Sequence, residues 1–533
     1  MRVTEKMRPS GRMALLACAL GLLAATPPAT AQTVLRVAPG SDLSSLDPVG
    51  PAGTQMYIHG MMVYDALYAQ DEDLNIRPQM VGAENISPDS LQYRLTLRDG
   101  LKFHDGSPVT TRDVIASLKR WMTLDIVGRT MATDVASLEA VDDRTFVITL
   151  KRPFPVRQAL ANSGSGLPII MREKEASLTR FDRDTQVIGS GPFRFLPDEW
   201  VPGARFAYAR NTDYVPRNEP PSGMAGGKVV KVDRVEFTVM PDATTKAAAL
   251  QTGEIDFIDQ VPFDQGEQLL HNRRGITVAA LSKIYNTFFM RPNSLHPPFN
   301  NAKARQALAL AINQPDYMAV SFVRPEWGQP CLSFFVCGSP NGTTAGSEPY
   351  RTPNLERARQ LLRESGYNGE KIVLLQSREV LFVAQSTDLA ADNLRKIGLN
   401  VEVVESDWGT YMARRNNKAD PDQGGWNIFI TSISGSGVYS PLSNSIADTT
   451  CGARNFAGWA CDEQAAKLRD DYIHEPDPEK QRAILEQLSR RLWEVMPTVI
   501  LGQRAQLYAW RDNIQGFVRS PSLITVFWNI EKK

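Results

Sequence analysis

Leu97-Arg-Asp-Gly-Leu-Lys-Phe-His-Asp-Gly-Ser-Pro-Val-Thr-Thr-Arg-Asp-Val-Ile-Ala-Ser-Leu-Lys-Arg-Trp121 decides the reading of this chain. It spells strand, glycine turn, short strand, second glycine turn and capped helix. Upstream, Leu91, Tyr93, Leu95 and Leu97 alternate with Gln92, Arg94, Thr96 and Arg98, the period of a half-buried strand. Gly100 and Gly106 mark two chain reversals. Thr110 is placed to cap the helix, with Asp113 three residues on in a weaker form of the capping box. Val114, Ile115, Leu118, Trp121 and Met122 then make one apolar stripe.

The first residues address the compartment. Lys6, Arg8 and Arg12 precede an apolar run from Met13 to Ala25, and Ala29-Thr-Ala31 follows. That order predicts a signal peptide over residues 1–31, cut between Ala31 and Gln32. The apolar run is too short for a stable span. Leu15-Leu-Ala-Cys18 loosely imitates a lipidation site and leaves a lipoprotein as the alternative. Four of the five cysteines fall in the mature chain as two close pairs, Cys331/Cys337 and Cys451/Cys461. Export favours two small disulfide loops, each contributing roughly 2–3 kcal/mol by chain entropy. A zinc site competes, but neither pair has C-x-x-C spacing and no histidine lies close by.

Charge excludes more than it assigns. The 59 basic and 59 acidic side chains balance, and loss of the leader leaves a small negative excess. No basic stripe serves nucleic acid or a membrane surface. About 500 mature residues exceed one hydrophobic core, so two or three domains are expected.

Elements follow along the chain. A strand at Val34–Ala38 leads through Leu46-Asp-Pro48 to helical spacing over Thr54–Tyr68, and a further strand spans Thr145–Leu150. Gly189-Ser-Gly-Pro-Phe-Arg-Phe195 is a tight turn into a strand, and Pro216–Gly227 reads as an exposed connection. Val235–Met240, Ala243–Gln251 and Glu254–Ile258 read strand, helix, strand, with Gly253 as the helix stop. Asn286–Met290 is followed by Pro297-Pro-Phe-Asn-Asn301 and a helix bearing Arg305, Ala307, Leu308 and Ile312. Lys371–Leu375, Val383–Lys396, Leu399–Glu405, Trp408–Asn416 and Trp426–Thr431 alternate strand and helix, which predicts a mostly parallel sheet. A long helix over Pro478–Val495 and strands at Thr498–Gly502 and Leu507–Trp510 close the chain.

Four of these passages, in order, resemble recurrent motifs of the bacterial extracellular solute-binding family 5. They are the 97–121 segment, Gly189–Phe195, the helix with Gly253-Glu-Ile-Asp256, and the Pro298-Phe299 then Arg305-Gln-Ala307 passage. The family contains the receptors of ABC importers for oligopeptides, dipeptides, nickel and related solutes. The resemblance implies an α/β, two-lobed periplasmic-binding-protein fold of type II, with a hinge and an additional smaller α/β domain. Lobe I is expected over 32–66, 190–285 and 502–533, the extra domain over 67–189, and lobe II over 286–501. It implies a monomeric periplasmic receptor that closes over a small solute and docks on membrane permease subunits, with no cofactor. A secreted hydrolase, or a periplasmic peptide-binding chaperone or sensor, is the alternative.

The residues that could carry catalysis form no catalytic pattern. His59, His104, His271, His296 and His474 show no metal-ligand spacing. Gly223-Met-Ala-Gly-Gly-Lys228 is one residue short of a phosphate loop and continues with Val229. Ser163-Gly-Ser-Gly166 and Ser434-Gly-Ser-Gly437 do not make a Gly-x-Ser-x-Gly elbow. No catalytic group and no metal site is expected.

A solute held between lobes needs aromatic walls and a few fixed polar groups. Trp426, Tyr439 and Trp408 are the wall candidates, Ser434 and Ser436 the polar ones, and Tyr57 the contribution from the N-terminal lobe. In peptide-binding relatives, the segment after the tryptophan-led strand supplies an aspartate for the peptide's α-amino group. Here Thr431-Ser-Ile-Ser-Gly-Ser-Gly-Val-Tyr-Ser-Pro441 has no acidic residue. A buried ammonium without a carboxylate is strongly disfavoured. Unless Asp448 or Asp420 reaches in, a neutral or weakly charged solute fits better: a modified peptide, or a sugar-like or opine-like compound.

Overall fold

The 97–121 segment folds as its pattern predicts. In the computed structural model, Gln92–Leu97 is a strand between Val81–Ile86 and Thr145–Leu150, all antiparallel, with Tyr93, Leu95 and Leu97 buried. Gly100 and Gly106 take positive φ, +79° and +87°, where a side chain would be strained. The helix runs Thr111–Leu124, and the Asp113 carboxylate accepts from Thr110 N at 2.9 Å and Thr110 Oγ1 at 2.8 Å. Val114, Leu118 and Trp121 are buried, and Ile115 and Met122 half-buried. The structure describes residues 32–533 except 50–52, 163–165, 180, 182–184, 273–274, 453–455 and 523. The leader expected over 1–31 with Cys18, and the stretch at 163–165, lie outside them.

Three sheets organise the rest. A seven-stranded sheet has the order Phe193–Phe195, Arg205–Arg210, Arg234–Thr238, Val34–Ala38, Phe257–Val261, Leu507–Arg511, Ile276–Ala280. A six-stranded sheet has the order Gly328–Gln329, Val499–Arg504, Asn286–Pro292, Ile428–Ile433, Lys371–Gln376, Asn400–Glu405. A four-stranded sheet, Val81–Ile86, Gln92–Leu97, Thr145–Leu150 and Val135–Ala140, builds the smaller domain. These are the two lobes and the extra domain of a type II binding fold. The chain passes between the lobes at 281–285 and at 505–506, the hinge.

The expected mostly parallel sheet is corrected to a mixed one. In the six-stranded sheet only Lys371–Gln376 has parallel neighbours, Asn400–Glu405 and Ile428–Ile433. Asn286–Pro292 runs antiparallel to both Ile428–Ile433 and Val499–Arg504. The reason is topological: those strands enter and leave lobe II through the hinge instead of through a helical crossover.

Several loop motifs prove structural. The half-buried His104 ring lies between two groups of the Gly189–Phe195 turn: Gly189 N donates to Nδ1 at 3.2 Å and Nε2 faces Gly191 O at 3.2 Å. Burial lowers this histidine to about 4, which keeps Nδ1 an acceptor. Gly189 is required because an added Cβ would fall 1.8 Å from Val63 O. Lys228, at the end of the phosphate-loop look-alike, is fully buried and pairs with Asp65 Oδ1 at 2.7 Å. Tyr214 donates to the other Asp65 oxygen at 2.9 Å, and Trp528 lies 4.8 Å from the ammonium. Both expected disulfides form, Cys331–Cys337 and Cys451–Cys461.

The helix Pro478–Val495 shows how lobe II is held. Asp477 caps it, accepting from Glu479 N and Lys480 N, and Pro478 takes the first position, where its missing N–H costs nothing. Leu485, Leu488, Leu492 and Trp493 are buried, each contributing roughly 1.5–3 kcal/mol. Met496, at φ +50°, ends it before Pro497.

Candidate solute site at the hinge edge of lobe II

Strand direction locates the site. The C-terminal ends of Ile428–Ile433, Lys371–Gln376, Asn400–Glu405 and Val499–Arg504 share one edge with the N-terminal end of Asn286–Pro292. The chain crosses to lobe I from this edge. Solutes gather at such strand ends on α/β sheets. The segments leaving it begin at Ser434, Ser377, Ser406 and Ala505.

The loop after Ile433 is anchored to the hinge. Gly435 N donates to Asn286 Oδ1 at 3.3 Å, and Ser434 Oγ and Ser436 Oγ are 2.8 Å apart. A Cβ at Gly435 would lie 2.3 Å from Tyr285 O, so only glycine lets the loop seat on the crossing segment. Ser434 keeps some accessible surface, whereas Ser436 is fully buried and supports the loop from beneath.

Tyr439 faces the smaller domain. Gln158 Nε2 donates to its hydroxyl at 3.1 Å, and Gln70 also hydrogen-bonds it. Burial pushes the phenol up to about 12, so it stays neutral. Asn341 holds the backbone, donating to Tyr439 O at 2.9 Å, and Tyr472 donates to Asn341 Oδ1 at 3.0 Å.

Further contacts join the smaller domain to lobe II. Arg152 reaches Asp470 with bonds of 2.8 and 3.1 Å, and His474 Nε2 meets Asp134 Oδ2 at 2.9 Å. The Phe154 ring lies 6.2 Å from the His474 ring. Lys283, in the hinge segment, bridges Glu72 at 3.1 Å and Asp73 at 3.0 Å.

The remaining expected residues separate. Trp408 opens the helix Trp408–Arg414 at the hinge edge, half-buried, stacked on Tyr411 at 5.1 Å, with its N–H on Glu379. Tyr57 sits half-buried in the helix Thr54–Val63 of lobe I. Trp426 is corrected. It precedes the strand, which starts at Ile428, so it lies at the opposite edge from the loop it was paired with, about 20 Å along the strand. Its ring is fully buried against Phe429 at 5.0 Å and Trp459 at 5.8 Å, and its carbonyl accepts from Asn293. It is a core residue of lobe II. Asp448 lies 3.8 Å from Arg469, and Asp420 caps Asp422 N at that far edge. Neither supplies an acidic partner to the 434–441 loop.

One group at this edge escaped the sequence reading. Arg504 ends the strand Val499–Arg504, and its Nε donates to Ser432 Oγ at 3.0 Å. Its Nη1 makes only long bonds, 3.2 Å to Ala505 O and 3.3 Å to Gln506 Oε1. The guanidinium lies over Phe382 of lobe II at 4.7 Å and Phe263 of lobe I at 6.0 Å. The signal was present as Gln503-Arg-Ala-Gln506, a polar run interrupting an apolar strand. Across the hinge, burial raises Asp259 to about 6, while Thr525 Oγ1 at 2.7 Å and Gly40 N at 3.4 Å donate to it. Among the described residues, no cluster of three His, Cys, Asp or Glu side chains is placed to hold a metal ion.

This geometry defines a two-lobed fold with a hinge and a candidate solute edge beside it. Residues 75–455 match the family model described as bacterial extracellular solute-binding proteins, family 5 Middle. The chain is 37% identical over 497 residues to a protein of Sinorhizobium fredii named a probable peptide ABC transporter periplasmic-binding protein, covering 92% of each. It is 27% identical over 502 residues to the glutathione-binding protein of Pectobacterium atrosepticum, again covering 92% of each. Among solved structures, a binding protein of A. tumefaciens R10 in complex with agropinic acid superposes with a TM-score of 0.76 at 23% identity, over 94% of this chain and 99% of that one. The Helicobacter pylori binding protein in complex with the peptide STSA gives 0.76 at 22% identity, over 94% and 98%. The chain belongs to the family 5 extracellular solute-binding proteins, and it is a periplasmic solute-binding protein of an ABC transporter.

Proposed function

We propose that this protein, exported on a leader over residues 1–31, captures a peptide-like or related small polar solute between lobe I (32–66, 190–285 and the C-terminal segment, whose expected start at 502 moves to the 505–506 crossing) and lobe II (286–504), and delivers it as a monomer to the permease. Residues 67–189 act as a cover that meets lobe II when the cleft shuts. The Tyr439–Gln158 contact carries this reading, because it joins the loop at the solute edge to that cover. A solute drives closure only by its preference for the shut form, and several kcal/mol are needed to shift the population decisively. Ser434, Tyr439 and Trp408 are the proposed lobe II contacts, and Tyr57 the one from lobe I.

The absence of acid in 434–441 supports a solute whose amino group is blocked or missing. The name of the Sinorhizobium relative supports the peptide class, and that of the Pectobacterium relative a modified peptide. Native mass spectrometry of the purified protein, followed by calorimetry with the solute it carries, tests this. A retained small molecule that binds once per chain and is released unaltered is the expected result. Turnover of that molecule, or equally tight binding of unmodified dipeptides, overturns it.

A further inference from the structure

Arg291, Arg305 and Arg504 are all deep arginines without a carboxylate in ion-pair range among the described residues, but they are not alike. Arg291 is locked by Ala457 O, Ile446 O and Thr498 Oγ1. Arg305 is caged by the carbonyls of Phe299, Val495 and Met496. Both hold core segments together. Arg504 has one good bond, to Ser432, and its Nη2 makes no hydrogen bond among the described residues. Its side chain is deeply placed at the hinge edge yet keeps some accessible surface.

Its position completes the case. Arg504 is the last strand residue before the 505–506 crossing, opposite Asn286, and Asn286 in turn anchors the 434–441 loop. Aromatic rings from both lobes flank the guanidinium. A desolvated cation without a counter-charge is costly, and its planar fork matches a carboxylate. Burial lowers Arg504 to about 10, which leaves it charged at neutral pH.

We propose that Arg504 is the anion-binding residue of the solute site, and that the solute carries a carboxylate which pairs with this guanidinium. Taken with the acid-free loop, the selected solute is an organic acid without a free amino group at that loop. This rests on the solute-capture reading above.

The full chain is titrated by calorimetry and thermal shift with a pool of N-acetylated tri- and tetrapeptides. Each probe is used as the free acid and with its carboxyls esterified. Free acids bind the wild type and esterified forms do not. Arg504→Gln loses about 10- to 100-fold in affinity, the range of a hydrogen-bonded charge. Arg504→Lys, which keeps the charge without the fork, retains part of it. Melting temperatures without solute check that each variant folds. If Arg504→Gln does not fold, the acid-against-ester comparison on the wild type and Arg504→Lys decides. Equal binding of esters by the wild type, or wild-type affinity in Arg504→Gln, overturns the role of Arg504 and leaves solute capture standing. Failure of the wild type to bind either form removes both.

Discussion

Gln158 donates to the Tyr439 hydroxyl at 3.1 Å, tying a helix of the smaller domain to the loop at the end of a lobe II strand. The two residues are 281 positions apart, so the bond exists only when the smaller domain meets lobe II. Tyr439→Phe removes it while keeping the ring. The shut form then loses about 1 kcal/mol, a roughly fivefold shift toward opening. Small-angle scattering without solute and calorimetry with it measure the change. Gln158→Ala gives a smaller shift, because Gln70 still bonds the hydroxyl, and adding it to Tyr439→Phe changes nothing further.

Trp426→Ala acts on stability and not on the solute. The ring fills the core of lobe II beside Phe429 and Trp459, and its loss costs about 3–5 kcal/mol. Denaturant unfolding shows the loss, and calorimetry at a temperature where the variant is folded returns wild-type affinity. Reduced affinity in the folded variant would return Trp426 to the solute wall.

Lys228→Met tests the buried ion pair. It leaves the Asp65 carboxylate without its cation, with Tyr214 and the Ala66 N–H still donating to it. Breaking one side of such a pair costs about 3–5 kcal/mol. Adding Asp65→Asn removes the stranded charge, and the double variant recovers part of the melting temperature.

Asp259 makes a pH-dependent contribution of opposite sign to that of a salt-bridged acid. Burial raises it from 3.8 to about 6, so between these values the folded chain holds a proton that the unfolded chain has released. Stability from this group therefore falls as pH rises through that window and is level above it, by on the order of 2–3 kcal/mol. Asp259→Asn keeps an oxygen for Gly40 N and reverses the bond to Thr525, whose hydroxyl then accepts from the amide, while removing the titration. Its melting temperature relative to wild type climbs from pH 4 to pH 6 and then stays constant. A difference independent of pH would refute the assignment.

What the sequence made legible was local. The Thr110 cap, the buried alternation of 93, 95 and 97, the glycine turns and the two short disulfide loops each depend on neighbours within about ten positions. Sheet direction was not legible, because the antiparallel strands Asn286–Pro292 and Val499–Arg504 are set by where the chain crosses the hinge. Trp426 was misplaced for the same reason: local pattern marks a strand but not which of its ends faces the other lobe. Lys228 resembled part of a phosphate loop until its partner, 163 positions away, appeared. Gln158 meets Tyr439, and Arg504 meets Ser432, only through the fold.

A side chain at Gly435 would collide with the Tyr285 carbonyl, so the turn seats directly on the crossing segment. Pressure on the turn is thereby torque on the segment joining the two halves. Occupancy and articulation become one mechanical coordinate, and a single methyl group inserted at that seam would pry them apart.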